Sequence, residues 1–292
     1  MSDRDCPHSR QSGPIVWLAG KFLPVEQAAV SPLDRGFLYG DGVFETMRCE
    51  RGWVFYLEDH VQRLFGSLRE LRIAPPVHLD WRSLIAGLVA RNVLDDAVAS
   101  VKIVVTRGIA PGYGLPPAAA PTVCVTAQPY HPPEAAIYQR GWRLKVFESG
   151  FSPPLSKYKS LNYLYFLMAR QDALDADADE AVIIDPGGHV AETSAGSILA
   201  RTADRWWTPA SPYQLSGITL RQVARFLAEQ GHVVERRTAT RQDLLAAETV
   251  WVLNSLLGVM PVYAISGAAI SNPAADEAAQ MRRRLFSRPG QW

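Results

Sequence analysis

The chain has 292 residues, enough for about two domains of ordinary size, with 48% hydrophobic and 20% charged residues. A formal net charge of +1 gives no electrostatic reason to expect nucleic acid or a membrane surface as partner, and no uninterrupted apolar run reaches the ~18 residues of a membrane span. Cys6, Cys49 and Cys124 are the three cysteines; their spacing suits neither a metal centre nor a redox pair, and so sparse a count argues for reduced thiols and a cytoplasmic protein.

In chain order, residues 1–13 are polar, lack the apolar core of a signal peptide and are expected to be a loose tail. A small first domain is expected over 14–130. It opens with strand signals at 15–18 and 43–48. Val61, Leu64, Phe65, Leu68 and Leu71 recur at helical spacing, which predicts an amphipathic helix over 58–72, and a second helix is expected at 81–91. β-rich runs follow at 98–106 and 122–127. Between them, 108–121 is so dense in Gly, Pro and Ala that it reads as a long exposed loop, a kind that tends to be functional. Pro129, Pro132 and Pro133 suggest an interdomain linker, placed at 131–140.

A larger second domain is expected over 141–292. It shows a strand at 142–147, a helix at 161–174 and a hairpin over 181–190 turning at Pro186-Gly187-Gly188. Short strands at 198–200 and 206–207 precede a helix at 217–229, stopped by Gly231. Strands at 250–253 and 259–265 and a helix at 274–286 close the chain. No internal repeat is visible. The fold class is α+β, in two α/β domains.

The chain has five lysines, and Lys157 and Lys159 lie together just before a helix. A lysine held at the end of an element and partly desolvated can act as nucleophile and base; two solvated loop lysines are the plainer reading of that segment alone. Alternation along an extended chain would put both on one side. Glu192 follows the hairpin, where a carboxylate could hold a proton on a cofactor ring nitrogen or simply be a strand-end acid. Leu215-Ser216-Gly217-Ile218-Thr219 opens an amphipathic helix, and a helix start is a ready anion site. Arg63 stands among the apolar positions of the first helix, suited to phosphate or to a surface ion pair. Asn254-Ser255-Leu256-Leu257-Gly258 ends an apolar strand as a turn that could face a ligand.

Taken in order, these segments resemble the class IV pyridoxal-phosphate proteins: branched-chain aminotransferases, D-amino-acid aminotransferases and 4-amino-4-deoxychorismate lyases. The resemblance rests on 34–46 (Asp34-Arg35-Gly36-Phe37-Leu38-Tyr39-Gly40-Asp41-Gly42-Val43-Phe44-Glu45-Thr46), His60-Val61-Gln62-Arg63-Leu64, 159–164, Glu192-Thr193-Ser194, Gly217-Ile218-Thr219 and 254–262. It implies the fold-type-IV architecture, with pyridoxal 5′-phosphate in an interdomain cleft. Lys159 is then the Schiff-base lysine, Arg63, Ile218, Thr219 and Ser255 the phosphate ligands, and Glu192 the partner of the ring nitrogen. Tyr163 is implied as a donor to the ring oxygen. The implied assembly is a homodimer with neighbouring loops lining the pocket, 108–121 being a candidate.

The implied partner is a small amino substrate, whose carboxylate needs a cation. Lyases and D-amino-acid aminotransferases commonly place an arginine after Thr106-Arg107-Gly108, where this chain has Pro111 or Gly112; Ser197 stands where an Asn is frequent. If Phe44 faces the cleft, strand alternation puts Thr46 and Arg48 there too. Tyr39, Phe44, Thr46, Arg48 and Arg107 are therefore the candidate substrate contacts, with Arg48 or Arg107 taking the carboxylate. The strand at 42–48 and the Asn-Ser-Leu turn favour the lyase, which expels pyruvate to leave 4-aminobenzoate. A transaminase for D- or branched-chain amino acids is the alternative, and a non-catalytic cofactor-binding relative the third reading.

Overall fold

The computed structural model describes residues 13–116, 120–149, 151–272 and 274–288; residues 1–12 of the expected tail, Cys6 among them, lie outside the described residues. The strands form two sheets. The first is antiparallel and six-stranded, in the order Lys21–Pro24, Ile15–Leu18, Thr122–Pro129, Val98–Thr106, Gly42–Glu50, Trp53–Val54.

Side chains alternate across strand Gly42–Glu50, and that alternation divides its labour. Val43, Met47 and Cys49 turn into a core with Val101, Ile103 and Val105 of the adjacent strand. Helices Leu57–Glu70 and Trp81–Arg91 cover that core, burying Leu57, His60, Leu64 and Leu68 from one helix and Leu84, Ile85 and Leu88 from the other. The spacing of three and four residues gives each helix a single apolar stripe. Phe44, Thr46 and Arg48 point the other way, towards the second sheet.

The second sheet has nine strands. Eight run in the order Val234–Arg237, Arg205–Pro209, Ser197–Thr202, Thr249–Asn254, Gly258–Ile265, Trp142–Phe147, Glu180–Ile184, Val190–Thr193, with Ala268–Ala269 beside Gly258–Ile265. Its central strands are buried on both faces, which is why they read as unbroken apolar runs rather than alternating ones. Trp206, Trp251 and Leu199 pack on one face against helices Ile218–Glu229 and Ala275–Leu285; Trp207, Val250 and Val252 pack on the other with Trp142 and Leu144. Among the described residues, no helix is long and apolar enough to cross a membrane.

Several elements differ from expectation. The stretch 131–140, expected as a linker, contains a helix, Ala135–Arg140, whose buried Tyr138 donates to the Leu257 carbonyl at 2.9 Å. The helix expected at 161–174 begins at Leu164. Helix Arg35–Tyr39 is an addition: Asp34 caps it by accepting from the Gly36 N–H, and Gly40, at φ +65°, ends it in the left-handed conformation. Loop 108–116 is largely exposed as expected, but it is not free. Arg35 donates to the carbonyls of Gly112 and Gly114 at 2.9 and 2.8 Å.

Candidate active site

A cavity of about 270 Å³ lies between the sheets, bounded by Phe44 and Thr46 on one side and by 192–197, 215–219 and 253–256 on the other. Arg63, Tyr158, Lys159, Tyr163 and Phe166 complete its wall.

Pro154–Lys157 is a 3-10 turn, so the extended alternation expected to pair the two lysines does not exist. Lys157 is left exposed over the Tyr158 ring, whereas Lys159 lines the cavity. The Lys159 main chain is stitched to the first sheet. The Phe44 N–H donates to its carbonyl at 2.8 Å, and the Leu161 N–H to the Gly42 carbonyl at 3.0 Å. Its amine stands 4.6 Å from the Phe44 ring centroid and 5.5 Å from that of Tyr163. The residue as a whole is half-buried because it opens on the cavity, but its amine is deep. Burial draws the amine down to about 8, Arg63 and Lys102 adding to the drop and Glu45 and Glu192 opposing it. Near neutrality a usable fraction is therefore the free base.

Glu192 is 6% exposed on strand Val190–Thr193, and its Oε2 accepts from the Leu215 N–H at 3.1 Å. Among the described residues it has no ion pair. Burial pushes its carboxyl up to about 8, against the pull of the Leu215 N–H, Lys159 and Arg63. A buried carboxylate without a counter-charge is costly, and a protonated ring nitrogen beside it would relieve that cost.

The expected anion cradle is the start of helix Ile218–Glu229. Ile218 and Thr219 are buried in the wall, and their N–H groups, in the first turn, have no acceptor within the helix. Gly217 lets the chain approach: a Cβ there would sit 2.3 Å from the Ser197 Oγ. Arg63 reaches the same place, donating through Nε and Nη2 to Glu45 at 2.7 and 2.6 Å and through Nη1 to the Ser216 carbonyl at 2.7 Å. Two of its five N–H groups remain for a ligand. Ser255 lies beside it in the turn that Asn254 braces by accepting from the Leu256 and Leu257 N–H groups.

Lys159, Arg63, Glu192, Tyr163, Ile218, Thr219, Ser255, Phe44 and Thr46 all meet at this cavity. Tyr163 meets it differently from expectation. Its hydroxyl donates its one proton to the Ser194 carbonyl at 2.8 Å, which leaves its ring, edge-on to Phe44, as wall.

Three expected substrate contacts lie elsewhere. Tyr39 is 53% exposed on helix Arg35–Tyr39, over the Arg35 guanidinium. Arg48 lies on the predicted face but beyond the cavity. It donates to Glu50 and to the Leu256 carbonyl at 2.6 Å and stacks over Phe286, closing the seam between the sheets. Arg107 is 1% exposed and commits every donor, to Asp41 and to the carbonyls of Leu71, Arg72 and Pro116.

The structure adds two residues to the site, and sets a third, Lys102, exposed beside it. Glu45 anchors Arg63, and His60 links Glu45 to Ser255, with 2.7 Å from Nδ1 to the carboxylate and 3.4 Å from Nε2 to the hydroxyl. Their signal was present in the segments 34–46 and 60–64, which the resemblance used without assigning them roles. Lys102 pairs in register with Thr46, its amine 4.7 Å from the Phe44 centroid. No motif marked it. An uncompensated buried acid, open helix N–H groups and a forked arginine are a donor set whose chemistry fits pyridoxal 5′-phosphate.

Comparison with known proteins agrees. Residues 42–265 match the family described as amino-transferase class IV. An aminodeoxychorismate lyase of Vibrio harveyi is 32% identical over 257 residues, covering 86% of this chain and 92% of that one. A D-alanine aminotransferase of Bacillus licheniformis is 31% identical over 261 residues, 87% and 89% of the two chains. The crystal structure of a T.th. branched-chain amino acid aminotransferase with pyridoxamine 5′-phosphate superposes with a TM-score of 0.85 at 27% identity, covering 95% of this chain and 96% of that one.

Proposed function

Because the chain belongs to the class IV aminotransferase family, whose enzymes depend on pyridoxal 5′-phosphate, we propose that it is a 4-amino-4-deoxychorismate lyase, releasing pyruvate and 4-aminobenzoate. Lys159 would hold the cofactor, Arg63, Ile218, Thr219 and Ser255 its phosphate, and Glu192 the proton on its ring nitrogen. Bound there, the cofactor supplies a sink for the electron pair left on the substrate carbon next to nitrogen. The Lys159 amine, drawn down to about 8, takes the proton from that carbon. The C–O bond on the adjacent ring carbon then breaks. Its electron pair leaves with the enolpyruvyl oxygen, which becomes pyruvate on proton uptake, and the remaining ring is aromatic. Phe44, Tyr158 and Phe166 offer flat walls that exclude water around a ring.

The observation that carries this reading is Lys102. With Arg48 and Arg107 committed elsewhere, Lys102, exposed beside the cavity, is besides Lys159 a cation against Phe44 that, among the described residues, has no ion pair. Its amine and that of Lys159 both lie against Phe44, at 4.7 and 4.6 Å from the ring centre. A cation set back from Lys159 by an aromatic ring suits a carboxylate on the ring carbon opposite the substrate amine. An α-amino acid carries its carboxylate on the amine-bearing carbon itself. Transamination of a D- or branched-chain amino acid is the second reading, favoured by the superposition on a branched-chain aminotransferase. A homodimer is the assembly expected in either case, covering the exposed Phe37, Leu38, Tyr39 and Tyr113.

The test is product analysis of the holoenzyme. Supplied with 4-amino-4-deoxychorismate it should release 4-aminobenzoate and pyruvate together, and Lys102→Met should raise KM about tenfold, as for one lost charged hydrogen bond of roughly 1.5 kcal/mol. Amino-group exchange between amino and keto acids, with no aromatic product, establishes the second reading instead.

A further inference from the structure

We propose that His60 is a positioning residue that turns the Ser255 hydroxyl towards the cofactor phosphate, taking up a proton as the phosphate binds. The proposal rests on the cradle assignment above and concerns groups behind it.

His60 is 1% exposed on the buried face of helix Leu57–Glu70. Its Nδ1 lies 2.7 Å from the Glu45 Oε2. Burial alone would raise the Glu45 carboxyl, but the Arg63 charge and hydrogen bonds from Arg63 and His60 hold it at about 2. It is therefore an ionised acceptor with no proton to give, and Nδ1 must carry the hydrogen. In a neutral ring Nε2 is then bare. Its neighbour is the Ser255 Oγ, at 3.4 Å, so the serine proton is drawn back towards the imidazole and its lone pairs face the cradle. That polarity is wrong for a phosphate dianion.

Protonating the ring reverses it. Nε2–H donates to Oγ, and the serine proton is released to point at the ligand. The surrounding charges set when this happens. Glu45 faces His60 from strand Gly42–Glu50, Arg63 from its own helix and Lys159 from the segment before helix Leu164–Asp175; the Ser255 turn brings no charge. Burial lowers the imidazole first of all, Arg63 and Lys159 add to that, and Glu45 resists. Without ligand the balance favours the neutral ring. A dianion at the cradle offsets the two cations and shifts it to the imidazolium.

The sign follows from linkage. If the ligand-bound ring has the higher pKa, phosphate binding takes up protons between the two values, and affinity falls as pH rises from the free value to the bound one. The probes are pyridoxamine 5′-phosphate and pyridoxamine, titrated calorimetrically into the apoenzyme at pH 7.5 in two buffers of different ionisation heat. The phosphorylated probe should take up close to one proton more than pyridoxamine, and its advantage should fall up to tenfold per pH unit between the free and the bound pKa and level off above the latter. Ring ¹⁵N signals of His60 should change from the Nδ1–H tautomer to imidazolium on binding. In His60→Gln, whose amide does not titrate, the extra proton should vanish and the advantage lose its pH dependence. Equal proton uptake by both probes in the wild-type protein, which needs no variant, overturns the proposal. Equal affinity for both probes instead overturns the cradle assignment itself.

Discussion

Arg63 and Arg107 each grip a carboxylate with two nitrogens, the buried Glu45 in one case and the half-buried Asp41 in the other. They differ in what surrounds the pair. Around Arg107, three carbonyls take the remaining donors, so that the charge is spent fixing the chain at 71–72 and at Pro116. Arg35 joins the same Asp41 and holds Gly112 and Gly114. Around Arg63 only the Ser216 carbonyl competes, and the rest of the guanidinium faces the cavity. An arginine becomes a binding group through the acceptors it lacks.

The largest test of this contrast is Arg107→Met. It leaves Asp41 with one partner and strands several carbonyls, and should cost about 3–5 kcal/mol of folding stability, as for a broken buried pair. Denaturant unfolding measures it; intact stability with a raised KM would instead return Arg107 to the substrate site.

Next comes the acid limb. The Glu45 carboxyl has a folded value of about 2 against an ordinary 4.5. Its contribution is thus complete above pH ~4.5 and is lost as pH falls towards 2, on the order of 3 kcal/mol in all. Unfolding midpoints followed across that range should drop in the wild-type protein, and Glu45→Gln should lack that part of the slope.

Arg48→Ala is the smallest effect. It removes the bond to the Leu256 carbonyl and the stacking on Phe286, and should lower stability by about 1–2 kcal/mol with KM unchanged. A KM effect without a stability effect would show that Arg48 reaches substrate.

Much of this was legible in the residues. Helices Leu57–Glu70 and Ile218–Glu229 carry strong apolar stripes, and the segments around Arg63, Lys159 and Glu192 stand in the order the fold needs. What escaped lacked a local signal. Helix Arg35–Tyr39 is too short to show a period, and it buries only Arg35. Strand alternation placed Arg48 on the correct face but could not say how far along that face the cavity extends. Lys102 depends on cross-strand register with Thr46, which is a long-range property. The commitment of Arg107 depends on carbonyls 35, 36 and 9 residues away.

The two backbone bonds between 42–44 and 159–161 carry a mechanical consequence. They join the Lys159 main chain to the strand that bears Phe44, while Glu192 lies on a strand of the other sheet and Ser255 in the turn after Thr249–Asn254. Were one half of the molecule to swing against the other, Lys159 would move with Phe44 or these bonds would break. Widening of the cleft for ligand exchange would thus separate Lys159 and Arg63, which is held to Glu45 of the same strand, from Glu192, and closure would reunite them.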